Sequence, residues 1–284
     1  LLILKLNVMN KILVPCDFSE TSENALAYAI ELARYLSSGL VLLHIDQIPV
    51  MSSEFGMTPY TVVDTASDSK EILQKMAEKI RTEEPSINGV EYFSEIGNAT
   101  ESIHEFTKTH SVDLIVMGIS GHGSKFMKNL FGSTAVAVSK RVEVPAIIVP
   151  PGVKYKKIQN IAYACDYNPE IEQSTALTQV KYINTLLGAD LQILHVIPEG
   201  HDLDAKESEV DCFVEQKLEN ATHKTYIIAE NNVSEGLLFF ISHHDIDMVI
   251  IEPKRHTFMH NLFYQSITSE MAFFSPVPVL TIHG

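Results

Sequence analysis

Ile12-Leu13-Val14-Pro15-Cys16-Asp17 returns 149 residues later as Ile161-Ala162-Tyr163-Ala164-Cys165-Asp166, and the rest of the chain follows the same pattern. A helical stretch follows each copy, then Leu42-Leu43-His44-Ile45 in one case and Ile193-Leu194-His195-Val196 in the other. Val112-Asp113-Leu114-Ile115-Val116-Met117 matches Ile246-Asp247-Met248-Val249-Ile250-Ile251, and Val144-Pro145-Ala146-Ile147-Ile148-Val149 matches Val277-Pro278-Val279-Leu280-Thr281-Ile282. Four matched segments in one order mark a tandem duplication. The seam falls near Pro150-Pro151-Gly152, which divides the chain into domains at 9–150 and 151–284.

Within a copy, the Val/Ile/Leu runs are apolar on consecutive positions. That is the pattern of strands buried on both faces. In the first half they fall near 11–16, 40–45, 90–94, 113–117 and 145–149. Between them lie helical stripes: Ala25, Ala29, Leu32, Ala33 and Leu36, with Ser22, Glu23, Glu31 and Arg34 off the stripe; then Ile72, Met76 and Ile80; then Ile103 and Phe106. Ser19 ahead of Glu20 and Glu23 is a helix start with an acidic first turn. Alternating strands and helices require parallel pairing with right-handed crossovers. The expected fold class is α/β, with two tandem doubly wound domains, each built on a five-stranded parallel sheet. The ligand crevice belongs beyond the carboxyl ends of the strands. Residues 47–69 and the shorter, more acidic 198–207 lack periodicity and read as loops, the first long enough to be a lid.

Charge and cysteine usage narrow the function. The chain of 284 residues carries a formal charge of −15 and no dense Lys/Arg run, which argues against nucleic-acid or anionic-membrane partners. Leu1-Leu2-Ile3-Leu4 ends at Lys5, short of a membrane span, and residues 1–8 read as an extension before a start at Met9. Cys16, Cys165 and Cys212 are too scattered for a disulfide framework, so a reducing, cytoplasmic setting is expected.

The most specific chemistry follows the fourth strand. Met117-Gly118-Ile119-Ser120-Gly121-His122-Gly123-Ser124 runs on to Gly132-Ser133-Thr134, which opens a helix. Glycines let backbone N–H groups approach a polyphosphate, and a helix N-terminus with hydroxyls favours an anion. A tight turn is the plainer alternative. The run is neither a Walker loop nor the G-x-G-x-x-G dinucleotide fingerprint.

Together with Val14-Pro15-Cys16-Asp17-Phe18-Ser19-Glu20 and Leu43-His44-Ile45, this loop resembles the universal stress protein family, and the resemblance covers both halves. The family's ATP-binding members carry G-x-x-G-x(9)-G-[S/T]; here ten residues separate Gly121 from Gly132. The resemblance implies a site in which Asp17 sits beside the nucleoside, Pro15 shapes the pocket and the Ile45 backbone meets the adenine edge. Met117 and Gly118 would line the ribose and α-phosphate, and Gly121, Gly132, Ser133 and Thr134 would hold phosphates. His122 and Gly123, inside the loop, are further candidate phosphate contacts. It also implies pairing of the two halves as a pseudo-dimer through the fifth strands, 145–149 and 278–282, in a monomer or a homodimer.

The second copy departs at this loop. Glu252-Pro253-Lys254-Arg255-His256 stands where the glycines should be, with Glu252 opposite Gly118 and Arg255 opposite Gly121. A carboxylate repels phosphate, and proline removes an N–H donor. The second domain is therefore expected to be structural. The bland readings remain for several residues: Asp17 and Asp166 as helix caps, Cys16 and Cys165 as buried hydrophobes beside carboxylates, and His256/His260 and His243-His244-Asp245 as packing or surface groups rather than zinc ligands. No G-x-S-x-G or H-E-x-x-H occurs, so any catalysis would be slow ATP hydrolysis through Asp17 and a metal ion such as magnesium. The expected function is a cytoplasmic stress-response protein whose first domain binds ATP or a related adenine nucleotide as a regulatory ligand read by an unknown protein partner. The alternatives are a nucleotide-free scaffold and a slow ATPase.

Overall fold

A computed structural model of the chain describes residues 9–47, 60–119, 134–167, 175–200, 202–218, 222–253 and 261–283. The first copy supplies β1 (Lys11–Pro15), α1 (Glu20–Leu36), β2 (Gly39–Asp46), α2 (Tyr60–Glu83), β3 (Val90–Ile96), α3 (Ala99–Thr109), β4 (Leu114–Gly118), α4 (Thr134–Arg141) and β5 (Ala146–Val149). The second supplies β6 (Asn160–Ala164), α5 (Ala176–Leu187), β7 (Asp190–Ile197), α6 (Leu203–Leu218), β8 (His223–Ala229), α7 (Val233–His243), β9 (Met248–Ile251), α8 (Asn261–Phe274) and β10 (Val279–Thr281).

These strands form a single ten-stranded sheet in the order β3-β2-β1-β4-β5-β10-β9-β6-β7-β8. Each half is parallel and doubly wound, as the apolar runs require. The halves meet at one antiparallel joint, where Ala146, Ile147 and Ile148 pair with Thr281, Leu280 and Val279. Either fifth strand alone would be an apolar edge, and pairing them removes both. The Thr281 hydroxyl reinforces the joint by donating to the Ala146 carbonyl at 3.1 Å.

One face of the sheet is covered by α1, α2, α5 and α6 over a core that runs unbroken from Leu13's neighbours Ile12 and Val14 through Ile147 to Leu280, Ile161 and Ile193. On the other face two smaller cores lie under the remaining helices, and Phe273 of α8 reaches across to the first half's core. Tyr35 on α1 donates to the Leu187 carbonyl of α5 at 2.8 Å, tying the two halves on the shared face.

Local signals explain the helix ends. Ser19 caps α1 from an extended conformation and accepts from the Ser22 N–H, while Ser37 closes it in the left-handed region. Asn98 and Asn232 cap α3 and α7 in the same way.

Three expectations need correction. Residues 60–69 are not loop but the first turns of α2, where Ser69 donates to Asp46 at 2.8 Å. The buried stripe of α2 is Leu73, Ala77 and Ile80: Ile80 is buried as expected and Met76 packs partly buried against the core, but Ile72 is 43% exposed and Leu73 faces inward in its place. In the second half, 203–207 begins α6, with Asp202 accepting from the Ala205 N–H at 3.2 Å. In both places polar residues in a first helical turn obscure the periodicity, which appears only once buried positions begin. Ser22 is also buried rather than off the stripe.

Candidate functional site

The first half's chain runs from β1 outward to β2 and β3, then returns to β4 on β1's other side. The topological switch point is therefore between β1 and β4, where such sheets open a crevice at their carboxyl ends. A cavity of about 130 Å³ lies there, lined among others by Pro15, Asp17, Ile45, Met117, Gly118 and Thr134. Six of the expected site residues thus converge from four elements. Gly121, His122, Gly123, Gly132 and Ser133 lie outside the described residues.

The turn from β1 into α1 is held from several directions. Asp17 accepts from the Ser19 N–H at 3.0 Å and from its hydroxyl at 2.5 Å, and the Asp17 N–H donates to Ser22 Oγ at 3.3 Å. Asp17 therefore shapes the helix start while remaining exposed at the cavity, so the capping and lining roles coexist. Phe18 takes a left-handed φ of 61°, unusual for a bulky residue, and its ring stacks on His44 at 4.5 Å. His44 Nδ1–H donates to the Cys16 carbonyl at 2.6 Å, and Asp46 lies 3.4 Å from the other ring nitrogen. Asp46 in turn accepts from Ser69 and Ser94. This chain of contacts fixes the turn that presents Asp17.

Gly118 has a steric reason to be glycine that the sequence did not disclose. A Cβ there would stand 2.2 Å from the Thr21 carbonyl oxygen of α1. The end of β4 thus touches the first turn of α1 directly, and both form the crevice wall. Beyond it, Thr134 opens α4, so the first helical turn, with Thr134 and Ala135 in the lining, borders the same cavity.

The cavity's other walls include Thr21, Ser22, Gln47, Ala99 and Ile103. None stands out in the sequence, although each lies at or just after a strand's carboxyl end or in a helix's first turns. Among the described residues Asp17 is the only charged one in the lining. Cys16 also lines the cavity, with its thiol pushed up to about 12, chiefly by burial and further by Asp17. That makes it a buried hydrophobe in chemical terms.

The second half's equivalent turn is closed differently. Tyr167 packs edge-on against His195 and Phe213, with the Lys206 ammonium 4.7 Å above its ring. His195 Nδ1–H donates to the Cys165 carbonyl at 2.9 Å, repeating His44. Glu252 and the buried Pro253 follow β9, whereas Gly118 is the last residue of β4. His243 and His244 stack on Phe239 and Phe240 and donate to their carbonyls, which is a packing role. His256 and His260 lie outside the described residues. Among the described residues there is no cluster of three His, Cys, Asp or Glu that could hold a metal ion, and no helix long and apolar enough to cross a membrane.

The sheet order, the antiparallel joint and the crevice at the switch point define a tandem doubly wound α/β protein. Residues 9–150 match the profile of the universal stress protein family, and the chain belongs to that family. Its fold is similar to that of a universal stress protein from Archaeoglobus fulgidus, with a TM-score of 0.72 at 22% identity over 97% of both chains. It is also similar to that of a functionally unknown protein from Pseudomonas aeruginosa, with a TM-score of 0.62 at 12% identity, covering 97% of this chain and 92% of that one. No curated protein sequence matches.

Proposed function

We propose that this universal stress protein binds ATP, or a related adenine nucleotide, in the crevice of its first half as a regulatory ligand. The observation that carries the reading is the convergence of Pro15, Asp17, Ile45, Met117, Gly118 and Thr134 on one cavity at the switch point. The cavity of about 130 Å³ corresponds to roughly four water volumes, the scale of a base rather than a whole nucleotide. The base end enters between β1 and β2, where the carboxylate of Asp17 accepts from sugar or base donors. The phosphates extend over Gly118 toward the glycine loop and the first turn of α4, where the Thr134 hydroxyl and backbone N–H groups favour an anion. Among the described residues the lining holds one carboxylate and no cation, so there triphosphate charge is met by N–H dipoles and, when it accompanies the nucleotide, magnesium.

The second half serves as a structural partner that does not bind nucleotide. In support, Glu252 and Asp166 are both near enough to Tyr163 to raise its pKa, after burial, so two carboxylates stand at the strand ends where phosphate would lie. None of the three cysteines is in a disulfide, consistent with a cytoplasmic setting. A scaffolding role, favoured by the continuous β5–β10 joint that makes a pseudo-dimer of one chain, is compatible with nucleotide control of the surface around the crevice.

Calorimetry on nucleotide-stripped protein with magnesium tests this. About one ATP per chain, bound much more tightly than adenosine, is the expected result. Absence of binding would move the function to the scaffold reading.

A further inference from the structure

A second cavity, of about 580 Å³, lies at the seam rather than in the crevice, within the usual size range of small-molecule pockets. Its walls are the connection between the halves (150–156), Tyr28 of α1, Asp247 ahead of β9, and residues 273–278 between α8 and β10. The space has a sequence cause. Because β5 and β10 run antiparallel, Pro150-Pro151 leaving β5 and Pro276 and Pro278 entering β10 come to the same end of the joint. Prolines lack the N–H groups with which two chains could close against each other. The opposite end of the joint carries side-chain to backbone hydrogen bonds. There His283 is buried and its Nε2–H donates to the Ser139 carbonyl at 2.8 Å, while Gln179 donates to the His283 carbonyl.

The phenolic and charged side chains lining the seam cavity are Tyr28, Lys154, Lys156 and Asp247. Tyr28 is 2% exposed and lines the cavity. A phenol hydroxyl at a cavity wall can donate to a ligand or water. Burial, then Tyr155 and Asp247, hold the phenol pKa far above its usual range, so it remains a donor. Lys154 donates to Asn24 at 2.7 Å, and Lys156 pairs with Asp247 at 2.6 Å. The other oxygen of Asp247 is already taken by the Gln159 and Asn160 N–H groups at 2.7 and 2.9 Å. Two ammonium groups therefore face one fully engaged carboxylate, an excess positive charge in a chain whose net charge is −15. Phe273, Phe274 and the prolines supply apolar wall.

We propose that the seam cavity binds a small organic anion, with its carboxylate or phosphate on Lys154, Lys156 and the Tyr28 hydroxyl and its apolar body against Phe274 and the four prolines. Such a ligand bridges α1, the inter-half connection and the end of α8, and so stabilises the joint of the two halves by mass action. The proposal rests on the seam alone and is independent of nucleotide binding in the crevice.

The test uses 4-fluorobenzoate and phenyl phosphate as probes on the full chain, followed by fluorine NMR and calorimetry, with 4-fluorobenzyl alcohol as the neutral control. At least one anion should bind at one per chain, the alcohol should not, and saturating ATP should leave the probe bound. Tyr28→Phe combined with Lys154→Gln should weaken the anion by about tenfold or more, a loss of roughly 1.4 kcal/mol. Tyr28→Phe keeps the ring packed edge-on against Tyr155 at 5.3 Å, and unchanged thermal unfolding would show that the fold is retained. Failure of both anions to bind, equal binding of the alcohol, unchanged affinity in the double variant, or displacement by ATP would each overturn the proposal. Displacement by ATP would place the probe in the crevice, which separates this failure from a failure of the nucleotide reading.

Discussion

Replacing Gly118 by alanine probes the closest backbone approach in the crevice wall. Its φ lies outside the left-handed region, so alanine meets no conformational penalty and only space is at issue. The added Cβ would stand 2.2 Å from the Thr21 oxygen, 2.7 Å from its carbonyl carbon and 3.3 Å from the Ser22 nitrogen. All three are backbone atoms, so no side chain can rotate away. Ordinary contact begins near 3.4 Å, so the end of β4 and the first turn of α1 must part by roughly 1 Å. Overpacking on this scale costs about 1–3 kcal/mol, which for a 284-residue chain unfolding as one unit lowers Tm by roughly 2–5 °C. Because Thr21, Ser22 and Gly118 also line the cavity, ATP affinity should fall by about tenfold or more. Gly97→Ala is the control: its Cβ would meet only the Ser102 hydroxyl, at 2.8 Å, and that side chain can turn aside. Differential scanning calorimetry on the three proteins decides the matter. A Gly118→Ala protein that melts with the wild type, or no lower than Gly97→Ala, would refute the close-approach argument.

Other consequences are open to equally direct measurement. In native protein at mildly alkaline pH, a disulfide reagent should label Cys212 rapidly and Cys16 and Cys165 only on unfolding, since burial raises the Cys16 thiol to about 12; native labelling of Cys16 at the Cys212 rate would contradict this. Burial, the main cause, lowers the pKa of His195 below its usual 6.5, so the unfolded chain takes up this proton first as pH falls. Its share of stability is complete above 6.5 and is lost as pH drops below that value; His195→Gln should flatten this acid-side decline in Tm, and parallel curves would rule the group out. The core shared by α1 and α5 predicts one cooperative calorimetric transition for the full chain, whereas two resolved transitions would mean that the halves unfold independently. Asp17→Asn keeps an acceptor for the Ser19 N–H and should leave Tm within about 1 °C while weakening ATP, whereas Asp17→Ala should lower both by losing the cap contact, worth about 0.5–2 kcal/mol. Equal Tm for the two variants would remove Asp17 from the helix start.

The sequence by itself determined the duplication, the strand positions and the parallel order within each half. Runs such as Leu40–Leu43 and Leu114–Met117 are apolar at every position, and a strand covered on both faces satisfies them. It also marked Ser19 as a helix start, because capping is decided within four residues of chain. The location of the crevice was legible for the same reason: strand direction follows from the alternation, and the switch point follows from strand direction.

Tertiary structure alone decided what depends on residues distant in the chain. The need for glycine at 118 comes from Thr21, almost a hundred positions away, and the Glu252 twin shows that strand sequence does not impose it. There α5 starts at Ala176, twelve positions past the end of β6, whereas α1 starts five past the end of β1. The stripe of α2 is set by the sheet on which it rests, which turned Leu73 inward and left Ile72 in solvent. The seam cavity has no local signature either, for its donors come from α1 and the inter-half connection and meet only because β5 and β10 pair in opposite directions. Local sequence sets dihedral preferences and periodicity, but approach distances and the company of buried polar groups are fixed only when the elements pack.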